Sequence, residues 1–320
     1  MTSWTNSRLA RYGRVRSGAM THFAPGVRSR AGTIGDVMVR TRNDDRTTPV
    51  RRELVAALVR DVQEEPFQPR YRGHAFGSDV VGWPDRLRSY FWPMPDVNLS
   101  VTARLIDPWF ERAGVLSARL VQQGVLTDDE RAEATALAWG MLAWGGTTRQ
   151  ADFCRPVVEA VFRRALGLPV TVDPPLNSGW SKVAALATAY LEGRRERAPH
   201  VIWDSRVSAS IVFRLDASMA NEGGPAPNGA NPEKLFPRIG VVPGRGGSRK
   251  DGGARDPSRL RSRWAHAYRS WSSQDAGSEL VREVRGELNA GGYPPMPTPS
   301  GGSAPWTIRG VESVLFMDGY

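Results

Sequence analysis

The sequence predicts a mainly α-helical protein interrupted by a long Gly/Pro/Arg-rich insertion. Three observations carry that prediction. From residue 50 onward most segments place apolar residues at helical spacing, as in "VRRELVAALVRDVQEE" (50–65) with Leu54, Leu58 and Val62 in one stripe. Strand-like alternation is minor or absent. Residues 218–258, "SMANEGGPAPNGANPEKLFPRIGVVPGRGGSRKDGGARDPS", switch to Gly, Pro and Arg, and connections of that length tend to be functional or disordered.

In chain order, residues 1–48 are Arg/Ser/Thr/Gly-rich without periodicity and read as an arm or loosely packed segment ahead of a helical domain over 49–320. Residues 66–96 are rich in Pro, Gly and aromatics, which predicts loop with one short helix at 84–91. "NLSVTARLIDPWFERAGVLSARLVQQG" (98–124) reads as helix with a break or restart at Pro108. "TDDERAEATALAWGMLAWGG" (127–146) opens on an N-cap, Thr127, with acidic first-turn residues, and stops at Gly-Gly. Further helices are expected at 152–167, 180–192, 205–216, 257–272 and 276–289, and a short amphipathic one at 307–319. Residues 168–179 form a turn-rich connector and 199–203 a short β-branched and aromatic run.

The chain has 320 residues, 40% of them hydrophobic, enough for one large domain or two smaller ones. No apolar stretch is long enough for a membrane span, and "MTSWTNSRLARYGRVRSG" lacks the apolar core of a secretory signal, so the expected location is cytoplasmic. The single cysteine, Cys154, excludes an internal disulfide and four-cysteine metal or cluster sites; it is expected as a small buried residue at a helix start. His22, His74, His200 and His266 are scattered, so neither a metal nor any other cofactor is expected.

The net charge is +10, with 43 Lys+Arg, only three of them lysine (Lys182, Lys234, Lys250), beside 11 Trp. Such a balance points to a polyanionic partner, and arginine and tryptophan suit phosphate contacts and base stacking. Coding bias also yields Arg-rich chains. A monomer acting on DNA, without a membrane partner, is the expected mode.

In "SGWSKVAALATAYLEGRRERAPHVIWDSRV" (178–207) Lys182 stands at the rim of an apolar helical stripe with Val183, Leu186, Ala187 and Tyr190. Asp204 occupies the N-cap position of the next helix. A partly buried lysine becomes a nucleophile when its pKa is lowered, and a carboxylate beside it stabilises positive charge developing at an attacked carbon. A rim lysine also commonly snorkels to solvent, and an aspartate before a helix commonly serves only as a cap.

"LNSGWSKVAALATAYL…APHVIWDSRVSASI" resembles the signature of the helix–hairpin–helix DNA glycosylase superfamily, in its 8-oxoguanine DNA glycosylase branch. In that family a hairpin leads into a Lys-Val-Ala helix start, and a hydrophobic-Pro-Val-Asp segment caps a later helix. "AWGGTTRQ" (143–150) and "IRGVESVLFMDG" (308–319) are similar to features of bacterial antiphage glycosylases of the Brig type. The resemblance implies a helix–hairpin–helix fold, Lys182 as Schiff-base nucleophile and Asp204, 22 residues later, as its essential aspartate. The hairpin and catalytic segment then span 168–216.

The family hairpin, Leu-Pro-Gly-hydrophobic-Gly, holds a DNA phosphate. The matching residues here are Leu176, Asn177, Ser178, Gly179 and Trp180, with one glycine, displaced. Asn177, Ser178, Gly179 and Ser181 are the implied phosphate contacts; Arg206, one turn into the Asp204 helix, reads either as a further phosphate contact or as half of a structural salt bridge, and Arg245 and Arg249 of the insertion either track the DNA backbone or belong to a disordered surface loop. The candidates to meet a flipped base are Trp144, Gly145, Gly146, Thr147 and Gln150, which also read as a helix C-cap followed by an ordinary loop, with Trp203 either stacking on the base or filling core. The implied function is excision of a modified base, a bulky cytosine such as glucosylated hydroxymethylcytosine in phage DNA, leaving an abasic site as antiviral defence. An 8-oxoguanine-type repair glycosylase with lyase activity and a non-catalytic basic helical DNA-binding protein are the competing readings. A two-metal nuclease lacks the carboxylate cluster it needs.

Overall fold

Helix α1 (Pro49–Glu64) begins with proline in the first turn, where its missing N–H costs nothing, and buries Leu54, Leu58 and Val62 completely. The computed structural model describes residues 49–71, 74–148, 150, 152–192, 199–221, 230–240, 259–265 and 270–319. All described elements belong to one compact unit, 45–320. The expected arm, 1–48, lies outside the described residues.

The described residues are mainly helical, with two antiparallel pairs of two-residue strands, β1 (Arg70–Tyr71) with β2 (His74–Ala75) and β3 (Met296–Pro297) with β4 (Ser303–Ala304). Helix α2 is shorter than the sequence predicts, Trp83–Arg88. Helix α3 runs unbroken over Leu99–Gln123, from an Asn98 cap to left-handed Gly124. The expected break at Pro108 is absent because Pro108 and Arg104, whose carbonyl loses its partner, both lie on the exposed side.

Helix α4 (Asp128–Trp144) has the capping box expected at Thr127, with Glu130 closing it. Helix α5 (Arg155–Ala165) starts at Cys154, which is exposed rather than buried. Cys154 is the N-cap residue, and it precedes Arg155 and Pro156 on a solvent-facing first turn. Helix α6 (Ser178–Thr188) buries every residue from Gly179 to Thr188, packs against α3, α4 and α5, and continues into a short tighter turn, Ala189–Leu191.

Helix α7 (Ser205–Ala220) packs on α1. In the insertion, α8 (Pro232–Leu235) brings Phe236 and Ile239 into the core. The expected helix at 257–272 is not formed at 259–265. There the Asp216 carboxylate accepts the Arg261 and Ser262 N–H groups and the Trp264 indole N–H, which anchors an irregular segment to α7. Helix α9 begins instead at Trp271 and runs to Ala290. Helix α10 (Ile308–Asp318) is buried on nearly all sides rather than amphipathic, and packs on α7, α2 and α9.

Among the described residues two large hydrophobic cores result, with a small third cluster of Phe67, Tyr90, Phe91 and Met317 beside them. One joins α1, α2, α7, α9 and α10; the other joins α3 to α6. Asp318, buried, ties the first together by pairing with Arg86 of α2 and with Arg214 of α7 at 2.9 Å.

Between the cores runs an extended segment, 200–204. Its side chains alternate, as extended backbone requires: Val201 and Trp203 enter the first core and Ile202 the second. Among the described residues no strand pairs with it. The N–H groups of 200–203 go to side chains of surrounding helices: His200 to Thr188 at 2.8 Å, Val201 to Ser278 at 3.2 Å, Ile202 to Glu312 at 2.8 Å and Trp203 to Ser181 at 2.7 Å; the Asp204 N–H bonds the Ile202 carbonyl at 3.1 Å.

Candidate active site

The alternation that sends Trp203 inward turns Ile202 and Asp204 to the opposite face, where both line a cavity of about 500 Å³. Lys182, one turn into α6, lines the same cavity. It sits at the heart of the packing rather than at a rim, 6% exposed, with its amine donating to the Ser178 carbonyl at 2.9 Å. Burial pushes that amine below the ordinary lysine value of 10.5; the Asp204 carboxylate opposes the shift and the Arg206 guanidinium adds to it.

Asp204 is 5% exposed and caps α7, with one carboxylate oxygen accepting the Arg206 N–H at 2.9 Å and the Val207 N–H at 3.1 Å. Trp144, Gly145, Gly146, Thr147, Ser178 and Arg206 also line the cavity. The Arg206 guanidinium lies over the Trp92 ring at 5.0 Å and the Phe316 ring at 4.8 Å, so one wall is a cation–aromatic stack.

Other expected site residues lie elsewhere. Gln150 is not in the cavity lining; its amide donates to the Thr147 carbonyl at 2.7 Å and accepts from Asn177 at 3.0 Å, fixing the loop that Thr147 ends. Asn177 caps α6, its side-chain oxygen Oδ1 accepting the N–H groups of Gly179 (2.8 Å) and Trp180 (3.2 Å). The Gly179, Trp180 and Ser181 amides are therefore engaged internally, and Gly179 packs so close to Gln150 that a Cβ would lie 2.5 Å from its amide nitrogen. Ser181 is buried among Trp203, Gln274 and Val201 and presents nothing to a ligand. Trp203 is core, 1% exposed. Arg245 and Arg249 lie outside the described residues.

Sequence reasoning missed Glu312, Arg309, Asp107, Trp92 and Phe316, all in the cavity lining. Glu312 is 5% exposed, pairs with Arg309 and accepts the Ile202 N–H. Burial pushes its carboxyl above the ordinary 4.5, with Arg309 opposing. The available signal was a glutamate inside the apolar run "VESVLF" (311–316), since buried carboxylates are rarely unpaired. Trp92 anchors the end of α4, its indole donating to the Trp144 carbonyl at 2.9 Å. Among the described residues no group of three or more His, Cys, Asp or Glu is placed to hold a metal ion, and no helix is long and apolar enough to cross a membrane.

Chemically, the cavity offers a buried amine of lowered basicity, a carboxylate fixed as a helix cap, an aromatic wall and two arginines. Comparison with protein-family models, curated proteins and solved structures finds no match for the chain.

Proposed function

We propose that the chain is a DNA N-glycosylase that takes a flipped, modified base into this cavity and excises it. The carrying observation is that Lys182 and Asp204, both buried, line one cavity, with the lysine pKa depressed by burial. Arginine, used at 40 positions in this chain, does not lose a proton to become a nucleophile. The net charge of +10 supports DNA as partner, and the resemblance of 176–211 to the helix–hairpin–helix glycosylases supports the reaction class.

In the proposed reaction the target nucleotide leaves the stack to reach the cavity. The neutral Lys182 amine attacks sugar C1′ while the C1′–N bond breaks; the base departs with the bonding pair and takes up a proton. Loss of a proton from the attached nitrogen and opening of the sugar ring give a Schiff base, and β-elimination from it nicks the strand. Asp204 stabilises the oxocarbenium-like charge and assists deprotonation of Lys182.

The proposed substrate is a bulky modified cytosine, such as glucosylated hydroxymethylcytosine of phage DNA, and the proposed role antiviral defence. This rests on the similarity to antiphage glycosylases and on a cavity of about 500 Å³, much of which an unmodified pyrimidine leaves empty. Mass spectrometry of bases released from plain, 8-oxoguanine, hydroxymethylcytosine and glucosylated DNAs tests the substrate. Borohydride trapping tests the chemistry: a covalent adduct is expected, and its persistence in Lys182→Ala removes the assignment. Salt-dependent binding with no base released from any of these DNAs would establish the non-catalytic DNA-binding reading instead.

A further inference from the structure

We infer that Gly145 is a positioning residue whose missing side chain forms the seat of the Lys182 stem. The inference rests on Lys182 being the nucleophile. A Cβ built on Gly145 would lie 2.4 Å from both Cδ and Cε of Lys182, an overlap no packed pair of carbons tolerates. The next atom, the Met141 carbonyl oxygen, is 3.3 Å away. The lysine stem thus occupies the space that a side chain at 145 would take.

Backbone conformation does not explain this glycine. Gly145 has φ −76° and ψ 0°, accessible to any residue, whereas its neighbour Gly146 has φ +65°, where glycine is favoured. Nor is the backbone free to retreat. The Gly145 N–H bonds the Met141 carbonyl at 3.0 Å, the Thr147 N–H bonds the Leu142 carbonyl at 2.8 Å, and Trp92 holds the Trp144 carbonyl at 2.9 Å. Lysine is a flexible four-carbon stem that loses rotamer entropy when held. Here Gly145 fixes the middle of the stem and the Ser178 carbonyl fixes its tip. Displaced from this seat, the amine loses the Ser178 bond that fixes it in the cavity it shares with Asp204.

Gly145→Ala, Lys182→Ala and the double variant of the full chain test this. Gly145→Ala is expected to reduce borohydride-trapped adduct at neutral pH by about a hundredfold, the order for an ångström-scale misplacement. The pH midpoint of the remaining trapping shifts upward, because an amine returned to solvent regains its ordinary basicity. Thermal unfolding provides a readout independent of catalysis. Gly145→Ala lowers the melting temperature in the wild-type background and leaves it unchanged or raised in Lys182→Ala, where the overlapping atoms are gone. Equal losses in both backgrounds, or trapping by Gly145→Ala at the wild-type rate and pH midpoint, overturn the seat. Trapping that survives Lys182→Ala sinks the nucleophile instead, and the melting cycle still decides the packing.

Discussion

Glu312 accepts the backbone N–H of Ile202 at 2.8 Å, so the last helix holds the segment that presents Asp204. Removing the carboxylate strands a buried N–H, at a cost of about 1–3 kcal/mol. Glu312→Ala is expected to lower unfolding free energy in urea by about 2 kcal/mol and to slow base release through a displaced Asp204. Glu312→Gln keeps an acceptor and loses less of both. Equal behaviour of the two variants would sever the link between this contact and the site.

Asp204 has two separable duties. Asparagine caps helices about as well as aspartate, so Asp204→Asn should leave stability within about 0.5 kcal/mol while base release falls by about a hundredfold or more. Asp204→Ala loses the cap as well, a further cost of about 1 kcal/mol. Chemical denaturation beside single-turnover base release separates the two, and full activity in Asp204→Asn would leave the residue a cap alone.

Lys182 should destabilise the protein that it serves. Its folded-state pKa lies below 10.5, so between the two values the unfolded chain carries more protons than the native one, and stability rises with pH through that window. Lys182→Met, matched in shape and uncharged, removes the penalty. It should be more stable than wild type at neutral pH, with the advantage shrinking as pH approaches 10.5. Guanidinium midpoints across that range check this, and an advantage that stays constant with pH refutes it.

Ser181 looks like a hairpin residue in sequence, yet its hydroxyl joins Trp203 to Gln274 in the interior. Ser181→Ala should cost about 1–3 kcal/mol of stability and leave the salt dependence of DNA binding unchanged. A weakened salt slope without loss of stability would return Ser181 to the DNA interface.

Local rules made much of the fold legible. The Thr127 box, the Asp204 cap and the buried stripe of α1 follow from neighbours in sequence, and so did the helices they bound. What failed depended on where each residue lies in the packed molecule. Pro108 is tolerated because it faces outward, Cys154 is exposed because of where its helix begins, and the irregular 259–265 is held by Asp216, more than forty residues earlier. The same division holds at the site. Lys182, Asp204 and the 144–147 loop line one cavity, while Asn177, Gly179, Ser181, Gln150 and Trp203 are spent on internal bonds and packing. Spacing says which residues neighbour one another along a helix; which way each points is decided by what packs against it.

The segment 200–204 is extended backbone without a sheet, and that has a consequence for how the site tolerates change. A paired strand can slide along its neighbour by two residues and keep its face. Here each successive N–H from His200 to Trp203 is matched to a side chain on a different helix position, Thr188, Ser278, Glu312 and Ser181, so there is no repeating partner to slide along. Insertions or deletions ahead of residue 199 must be absorbed upstream, and the distance from Lys182 to Asp204 in space becomes independent of the number of residues between them in the chain.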